Sequence, residues 1–480
     1  MLNLLLHTDS YKQSHFAQYP PGTEFISAYA EARGSHEDGM VQFFGLQAFL
    51  TSYLSRPITA YDIDEAEAYC AGHGVPFNRE GWEYILVAHK GFLPLRIQAL
   101  REGAVVPRGT PLVQVVNTDP KVPWLTSFIE TALLRGIWYP SSVATLSLLA
   151  KLIWYGAFKR SSDAPEMLPF RLHDFGARGA SSAESAALGG MAHLVNFRGT
   201  DTMEGLFAAR EFYGAEIGKA GFSIPASEHS TMTSWGQHRE RDAYANMIQR
   251  FGDGTFSIVA DSYDLHAAVA DIFCGSLKGE IEAMDGTLVI RPDSGDPVET
   301  PLAVIQKLWE VFGGSINSKG YKVLNPKVRV IQGDGMGLAS MQQLVLELLD
   351  AGFAADNLVV GMGGGLLQDH RRDDLRFALK TNAIGLAGEV IWRDVQKRPA
   401  TDPGKISKAG RQAVVRGPDG DLLVKRESDL DPAEINLLQD VFVDGELVRY
   451  QTFEDVRAVA DRFVQLLVEL HDSEPAAAAA

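Results

Sequence analysis

Several residues capable of acid, base or cation chemistry stand at the ends of short apolar runs. His229 lies in ASEHST beside Glu228, Asp261 in VADSYD, Asp293 in RPDSGD and Asp334 in IQGDG. A histidine beside carboxylates can shuttle a proton or attack phosphorus. Asp293 and Asp334 are acceptors suited to sugar hydroxyls or, through water, to Mg²⁺. Arg178, Arg291 and Arg372 follow similar runs, and a guanidinium keeps its charge and offers a planar fork to phosphate oxygens. Gly361, Gly363, Gly364 and Gly365 in GMGGGLLQ would let backbone N–H groups approach an anion at the start of a helix. Each feature has a bland counterpart. A lone His is more often structural, a surface Arg is usually solvated, and Gly and Asp form turns. GMGGG also lacks the GK[ST] ending of a P-loop and the GxGxxG spacing, and no HExxH accompanies His229.

The elements that must position these residues form the most regular part of the chain. Short apolar runs recur as FRLHDFGARG (170–179), HLVNFRGTD (193–201), FSIPASEHS (222–230), FSIVADSYD (256–264), LVIRPDSGD (288–296), VRVIQGDG (328–335) and LVVGMGGG (358–365). After Asp293 come Val304, Ile305, Leu308, Val311 and Phe312; after Asp334 come Leu338, Met341, Leu344, Val345 and Leu348. Both sets trace one face of a helix. Strand, polar tip, helix, strand is the rhythm of a parallel sheet, whose C-terminal tips converge on one rim, where α/β barrels place their chemistry. Turn formation explains any single tip; seven in succession carrying Arg, His and Asp favour a site. Residues 90–116 and 405–450 instead alternate apolar and polar, with PDGD and VDGE as hairpin turns. The expected fold is therefore α/β: an irregular parallel α/β barrel over 141–385, with a discontinuous, mainly antiparallel β-rich second domain over 1–140 and 386–480.

With 480 residues the chain exceeds one ordinary core, and 46% hydrophobic with 22% charged residues is globular composition. Lys plus Arg (44) against Asp plus Glu (61) leaves −17, which disfavours nucleic acid and anionic membrane surfaces as partners. An anionic substrate then needs a local gathering of cations. Cys70 and Cys274 lack CxxC spacing, so a disulfide scaffold is not expected and a reducing cytoplasm fits. The apolar start MLNLLL is too short for a signal peptide. No run approaches the ~20 apolar residues of a membrane span, and the final EPAAAAA reads as a frayed tail.

In order and approximate spacing, TDSYK (8–12), HDFGARG (173–179), NFRGTDT (196–202), SIPASEHST (223–231), DSYD (261–264), IRPDSG (290–295), IQGDG (331–335) and GGGLLQ (363–368) resemble the nicotinamide phosphoribosyltransferases. The resemblance runs from about residue 4 to about residue 455. It implies joining of nicotinamide to phosphoribosyl pyrophosphate, with release of pyrophosphate, in NAD salvage. It also implies a homodimer with active sites at the subunit interface. By motif, Phe175 would stack on one face of the pyridine ring, with Tyr11 from the partner chain on the other, and Asp9 of the same TDSYK would bind substrate. Burial of such a ring contributes about 2–3 kcal/mol before ordering costs. Asp201 would accept a hydrogen bond from the carboxamide NH₂ and repel a carboxylate.

The resemblance further assigns Arg291 to the carboxamide oxygen or the pyrophosphate, and Asp293 to ribose hydroxyls. Gly333, Asp334, Gly363 and Gly364 would line the 5-phosphate site with Arg372, while Arg178, Arg33, Lys380 and Lys405 would meet phosphate or pyrophosphate. His229 would be phosphorylated by ATP, a co-substrate, with Asp261 nearby; Mg²⁺ is implied but no carboxylates are assigned to it. Ala177, where relatives often carry an aromatic, and the short loop 33–43 depart from the family pattern. Three rival readings remain: a nicotinate phosphoribosyltransferase, a non-catalytic phosphate-metabolite binding protein, and a barrel sugar-phosphate enzyme using Asp and His as acid and base. Asp201 speaks against the first, and His229 with Asp293 against the second.

Overall fold

The computed structural model describes residues 3–34, 36, 39–389, 391–401 and 406–473. The chain forms two compact units: one holds the described residues of Met1–Thr145, Glu211–Gly214 and Arg371–Ala480, the other those of Leu146–Arg210 and Ala215–His370.

The second unit is built on six parallel strands, in the order Gly199–Thr200, Leu172–Asp174, Leu358–Met362, Val328–Gln332, Thr287–Arg291 and Thr255–Val259. Single parallel bridges join Phe222 to Gly199 and Ala226 to Ser257. The stretch 222–226 therefore touches both edge strands and closes the curled sheet as an irregular stave, removing two exposed edges. The helices follow their apolar faces. In Glu299–Phe312 the buried residues include Val304, Ile305, Leu308 and Phe312, and in Leu338–Asp350 they include Met341, Leu344, Val345 and Leu348. The irregular parallel α/β barrel is as expected.

The first unit carries a seven-stranded sheet, ordered Arg393–Asp394, Phe377–Leu386, Thr23–Ala32, Pro111–Asn117, Leu95–Ala99, Gln439–Val443 and Glu446–Leu447. Pairing of Leu95–Ala99 with Gln439–Val443 joins the two β-rich flanks of the sequence. The VDGE hairpin has positive φ at Asp444 and Gly445, the pattern of a type I′ turn that suits strand twist. Two expectations need correction. Phe377–Leu386, assigned by sequence to the barrel segment, pairs antiparallel with Thr23–Ala32; a lone apolar run does not reveal its partner. Glu130–Ser161 is one helix long and apolar enough to cross a membrane, although no such run was expected. Its most apolar window is 67% buried within the protein, as a core helix requires, and Pro140 lies inside it.

Candidate active site

In the parallel unit the sequence-predicted residues collect at the C-terminal tips of the strands. Phe175 follows Leu172–Asp174, Asp201 follows Gly199–Thr200, and Asp261 follows Thr255–Val259. Arg291 ends its strand, with Asp293 two residues beyond, and Gly333 and Asp334 follow Val328–Gln332. Phe175 is fixed by its own N–H, which donates to the Met362 carbonyl at 2.9 Å. A Cβ on Gly361 would lie 2.1 Å from the Phe175 ring. That glycine therefore admits the aromatic side chain and is not part of an anion cradle. Gly364 leaves open space, while a Cβ on Gly363 would touch the Phe175 carbonyl oxygen at 3.8 Å; the helix they begin, Gly364–Leu367, has only four residues. The expected helix is present but is a single turn, too short for a substantial N-terminal dipole.

His229 opens the short helix His229–Thr233, and its Nε2 lies 2.9 Å from Asp261 Oδ1. Asp261 also accepts a 2.6 Å hydrogen bond from the Ser294 hydroxyl. On the other side of the imidazole, Nδ1 is 3.8 Å from Asp293 Oδ2, and Asp293 Oδ1 is 3.8 Å from Arg291 Nε. Arg291 Nη2 donates to the Ser227 carbonyl at 3.3 Å, and its guanidinium carbon sits 6.0 Å from the Phe175 ring centre. His229, Asp261, Asp293 and Arg291 thus form one connected constellation.

A second histidine and a serine complete the Asp201 end. His173 Nε2 lies 2.8 Å from Asp201 Oδ1, and the Ser223 hydroxyl donates to the same oxygen. Burial alone would push the Asp201 carboxyl up, but the His173 hydrogen bond and charge, with Ser223 and Arg291, hold it below the usual carboxylate value. Asp201 is therefore an anion at neutral pH. Beneath it, buried Asp174 accepts the Gly176 N–H at 2.7 Å, and its carbonyl accepts the Asp201 N–H at 2.9 Å. His173 and Ser223 lie inside the sequence motifs, but the sequence assigns neither of them a role. Their polar character was legible; their convergence on one oxygen was not.

A cavity of about 680 Å³ runs along the strands. At the tip end it is lined by His173, Phe175, Asp201, Ser223 and Arg291; at the strand starts it is lined by Thr255, Thr287, Arg171 and Arg329. Arg291 Nε and Ser257 Oγ are buried without a hydrogen-bond partner, and both residues line this cavity. Buried polar groups of that kind are what a ligand satisfies. Arg171 is held by three backbone carbonyls, and burial lowers its pKa to about 10. The expected cationic cup is only partly assembled in this unit. Arg291 lines the cavity, but Arg178 stands exposed in the turn Ala177–Gly179.

The remaining predicted residues belong to the antiparallel unit. Arg372 is exposed and paired with Asp373 at 2.7 Å. Tyr11 is 59% exposed, as a ring offered to another molecule would be, and the Asp9 carboxylate accepts the Thr131 hydroxyl. Arg33 is paired with Glu31 at 2.8 Å and keeps a buried Nη2 without a partner. Burial lowers the Lys380 pKa; Glu130 opposes this, while the cations Arg33, Lys397 and Lys12 add to it. Lys12, the last residue of TDSYK, is itself paired with Glu130 at 2.6 Å, and neither it nor Lys397 was given a role by the sequence. Lys405, part of the loop 33–43 and the tail 474–480 lie outside the described residues.

Comparison with known proteins shows the family. The N-terminal domain model of nicotinamide phosphoribosyltransferase matches residues 3–97, and the nicotinate phosphoribosyltransferase (NAPRTase) family model matches residues 170–446. The chain is 48% identical to the nicotinamide phosphoribosyltransferase of Xanthomonas campestris pv. campestris, over 96% of this chain and 98% of the relative. It is 33% identical to the nicotinamide phosphoribosyltransferase of Acinetobacter baylyi, over 98% and 99% respectively. Its fold is similar to nicotinate-nucleotide pyrophosphorylase from Pyrococcus furiosus, with TM-score 0.59 at 16% identity and 96% coverage of both chains. It is also similar to human nicotinic acid phosphoribosyltransferase, with TM-score 0.55 at 18% identity and 95% and 93% coverage. These structural likenesses speak for the fold; the sequence matches along nearly the whole chain speak for the family. Strand-tip aromatic, carboxylates and arginine thus belong to an enzyme, and the chain is a member of the nicotinamide phosphoribosyltransferase family.

Proposed function

We propose that this enzyme transfers the 5-phosphoribosyl group of phosphoribosyl pyrophosphate to nicotinamide, giving nicotinamide mononucleotide and pyrophosphate for NAD salvage. The observation that carries this reading is the anionic Asp201 beside Phe175 and Arg291 in one cavity. Phe175 supplies an aromatic face, and Arg291 Nε, 3.8 Å from Asp293 Oδ1 and without a hydrogen bond, is a donor suited to the carboxamide oxygen. Asp201 accepts from a carboxamide NH₂, whereas a nicotinate carboxylate would meet like charge. In the transfer, the nicotinamide ring nitrogen bonds to ribose C1 as the C1–O bond to pyrophosphate breaks. The sugar passes through oxocarbenium-like character while negative charge grows on the leaving group. Cations aimed at that charge are the main expected catalytic contribution. Arg33, which keeps a buried Nη2 without a hydrogen bond, and Lys380 are assigned to pyrophosphate across a homodimer as part of the same proposal.

ATP enters this reading as a co-substrate that phosphorylates His229. With its Nε2–H donated to Asp261, the imidazole keeps a lone pair on Nδ1. The Nδ1–phosphorus bond would form as the bond from the γ-phosphorus to the ADP oxygen breaks. Among the described residues no group of three or more His, Cys, Asp or Glu side chains is placed to hold a metal ion. Mg²⁺ commonly uses one or two carboxylates together with substrate phosphates, so Asp293, 28% exposed, fits an ion that arrives on a diphosphate, whereas Asp261 is 6% exposed with both oxygens hydrogen-bonded. When bound, such an ion would neutralise phosphate charge.

A competition assay tests the proposal. With phosphoribosyl pyrophosphate, Mg²⁺, nicotinamide and nicotinate together, nicotinamide mononucleotide and pyrophosphate should appear first. Faster consumption of nicotinate would overturn the preference, and no release of pyrophosphate would overturn catalysis.

A further inference from the structure

If Asp201 distinguishes an amide from an acid, the direction of its carboxylate matters as much as its charge. An aspartate carboxylate turns easily, because its terminal torsion is broad and two-fold. Here two donors arrive from opposite neighbours in the sheet. His173 comes from Leu172–Asp174, paired in parallel register so that His173 lies beside Gly199. Ser223 comes from the closing stave, bridged at Phe222 to the same Gly199. Both donors land on Oδ1. Among the described residues Oδ2 receives no hydrogen bond, and the Asp201 side chain is 45% exposed. The result is a carboxylate with one oxygen pinned and the other presented.

The neighbours of His173 are arranged to allow this reach. A Cβ at residue 199 would lie 2.8 Å from His173 Nδ1, so Gly199 leaves the room the imidazole occupies. The His173 ring also packs on Phe175, with centroids 5.0 Å apart at 47°. Only 13% of the His173 side chain is exposed. It is thus held by packing on one side and by Asp201 on the other, in the same cavity as both.

We infer that His173 is a positioning residue that sets amide-over-acid specificity, by pinning Asp201 Oδ1 so that Oδ2 faces the carboxamide nitrogen of the substrate. This inference rests on the nicotinamide reading above. A Gln side chain can place an N–H donor near the position of His173 Nε2; an Asn side chain is too short to do so. His173→Asn should therefore raise the KM for nicotinamide and lower the nicotinamide-to-nicotinate ratio of kcat/KM about tenfold, the effect of one charge-assisted hydrogen bond. His173→Gln should recover most of the ratio, and kcat should change less than KM in both variants. In an Asp201→Asn background, His173→Asn should cost no further preference, because the group it positions is gone.

Steady-state kinetics of the full-length wild type, the two His173 variants, Asp201→Asn and the double variant decide the matter. An unchanged ratio in His173→Asn, equal losses in the Gln and Asn variants, or the same loss with and without Asp201 would each overturn the positioning role. Should His173→Asn fail to fold, the ratio in His173→Gln is compared with that in Asp201→Asn. Wild-type-like preference in the former then supports the role, and Asp201→Asn-like preference overturns it. A wild-type enzyme that itself prefers nicotinate would instead remove the nicotinamide reading.

Discussion

Two histidine–aspartate pairs stand at the rim of the parallel unit, and their exposures are reversed. In His229–Asp261 the N···O distance is 2.9 Å, the imidazole is 42% exposed and the carboxylate 6%. In His173–Asp201 the distance is 2.8 Å, the imidazole is 13% exposed and the carboxylate 45%. The same bond therefore presents a base in one place and an anion in the other. A buried carboxylate fixes the tautomer and direction of an imidazole that must meet a reactant. A buried imidazole fixes a carboxylate that must read one. On the proposed reading, relative exposure, more than residue type, separates the group that acts from the group that supports it.

Variants that remove the presented group should have the larger effect. His229→Ala should abolish stimulation by ATP and incorporation of labelled phosphate while some ATP-independent synthesis persists; full stimulation in the variant would exclude a phosphohistidine at this position. Asp201→Asn should reduce the preference for nicotinamide over nicotinate by about 10–100-fold, since a site built around a polar contact discriminates through it. Direct competition of the two vitamins reads that ratio, and an unchanged ratio would remove Asp201 from its role. Asp261→Asn, which alters the supporting partner, should lower ATP stimulation by about tenfold, leaving the vitamin preference unchanged. Both assays on one preparation show whether the two pairs are independent.

The smallest effect concerns stability. Asp201 titrates below its ordinary value in the folded protein, so its ionised form contributes stability above the unfolded pKa of about 3.9. That contribution is lost as pH falls through the lower folded value. Because the side chain is 45% exposed, it amounts to less than about 1 kcal/mol. The Tm difference between wild type and Asp201→Asn should therefore shrink on acidification below about pH 4. A difference that grows there would mean the pair does not favour the charged carboxylate.

Much of the architecture was legible because its signals are local. The helical face of Val304, Ile305, Leu308 and Phe312 is buried as its period requires. The Asp-Gly hairpin at Asp444 and Gly445 forms because few residues tolerate two successive positive φ values. That His229, Asp261 and Asp293 would come together was foreshadowed by their places after short apolar runs. Signals that depend on a distant neighbour misled. Gly361 read as part of a phosphate cradle, yet the Phe175 ring, far away in sequence, claims its space. Phe377–Leu386 read as part of the barrel segment, yet it hydrogen-bonds to Thr23–Ala32.

The order of residues alone determined that acids, bases and arginines would recur at the ends of parallel strands, because strand, turn and helix preferences act over a few neighbours. Tertiary structure alone decided which histidine joins which aspartate, and which member of each pair is the less exposed. It did so through strand register: His173 lies beside Gly199, while Ser223 follows Phe222, which is bridged to the same glycine. Hydrogen bonds across a sheet connect residues by register and not by sequence separation. Two polar side chains from separate segments thus meet on the carboxylate of a third, and no single segment carries that information.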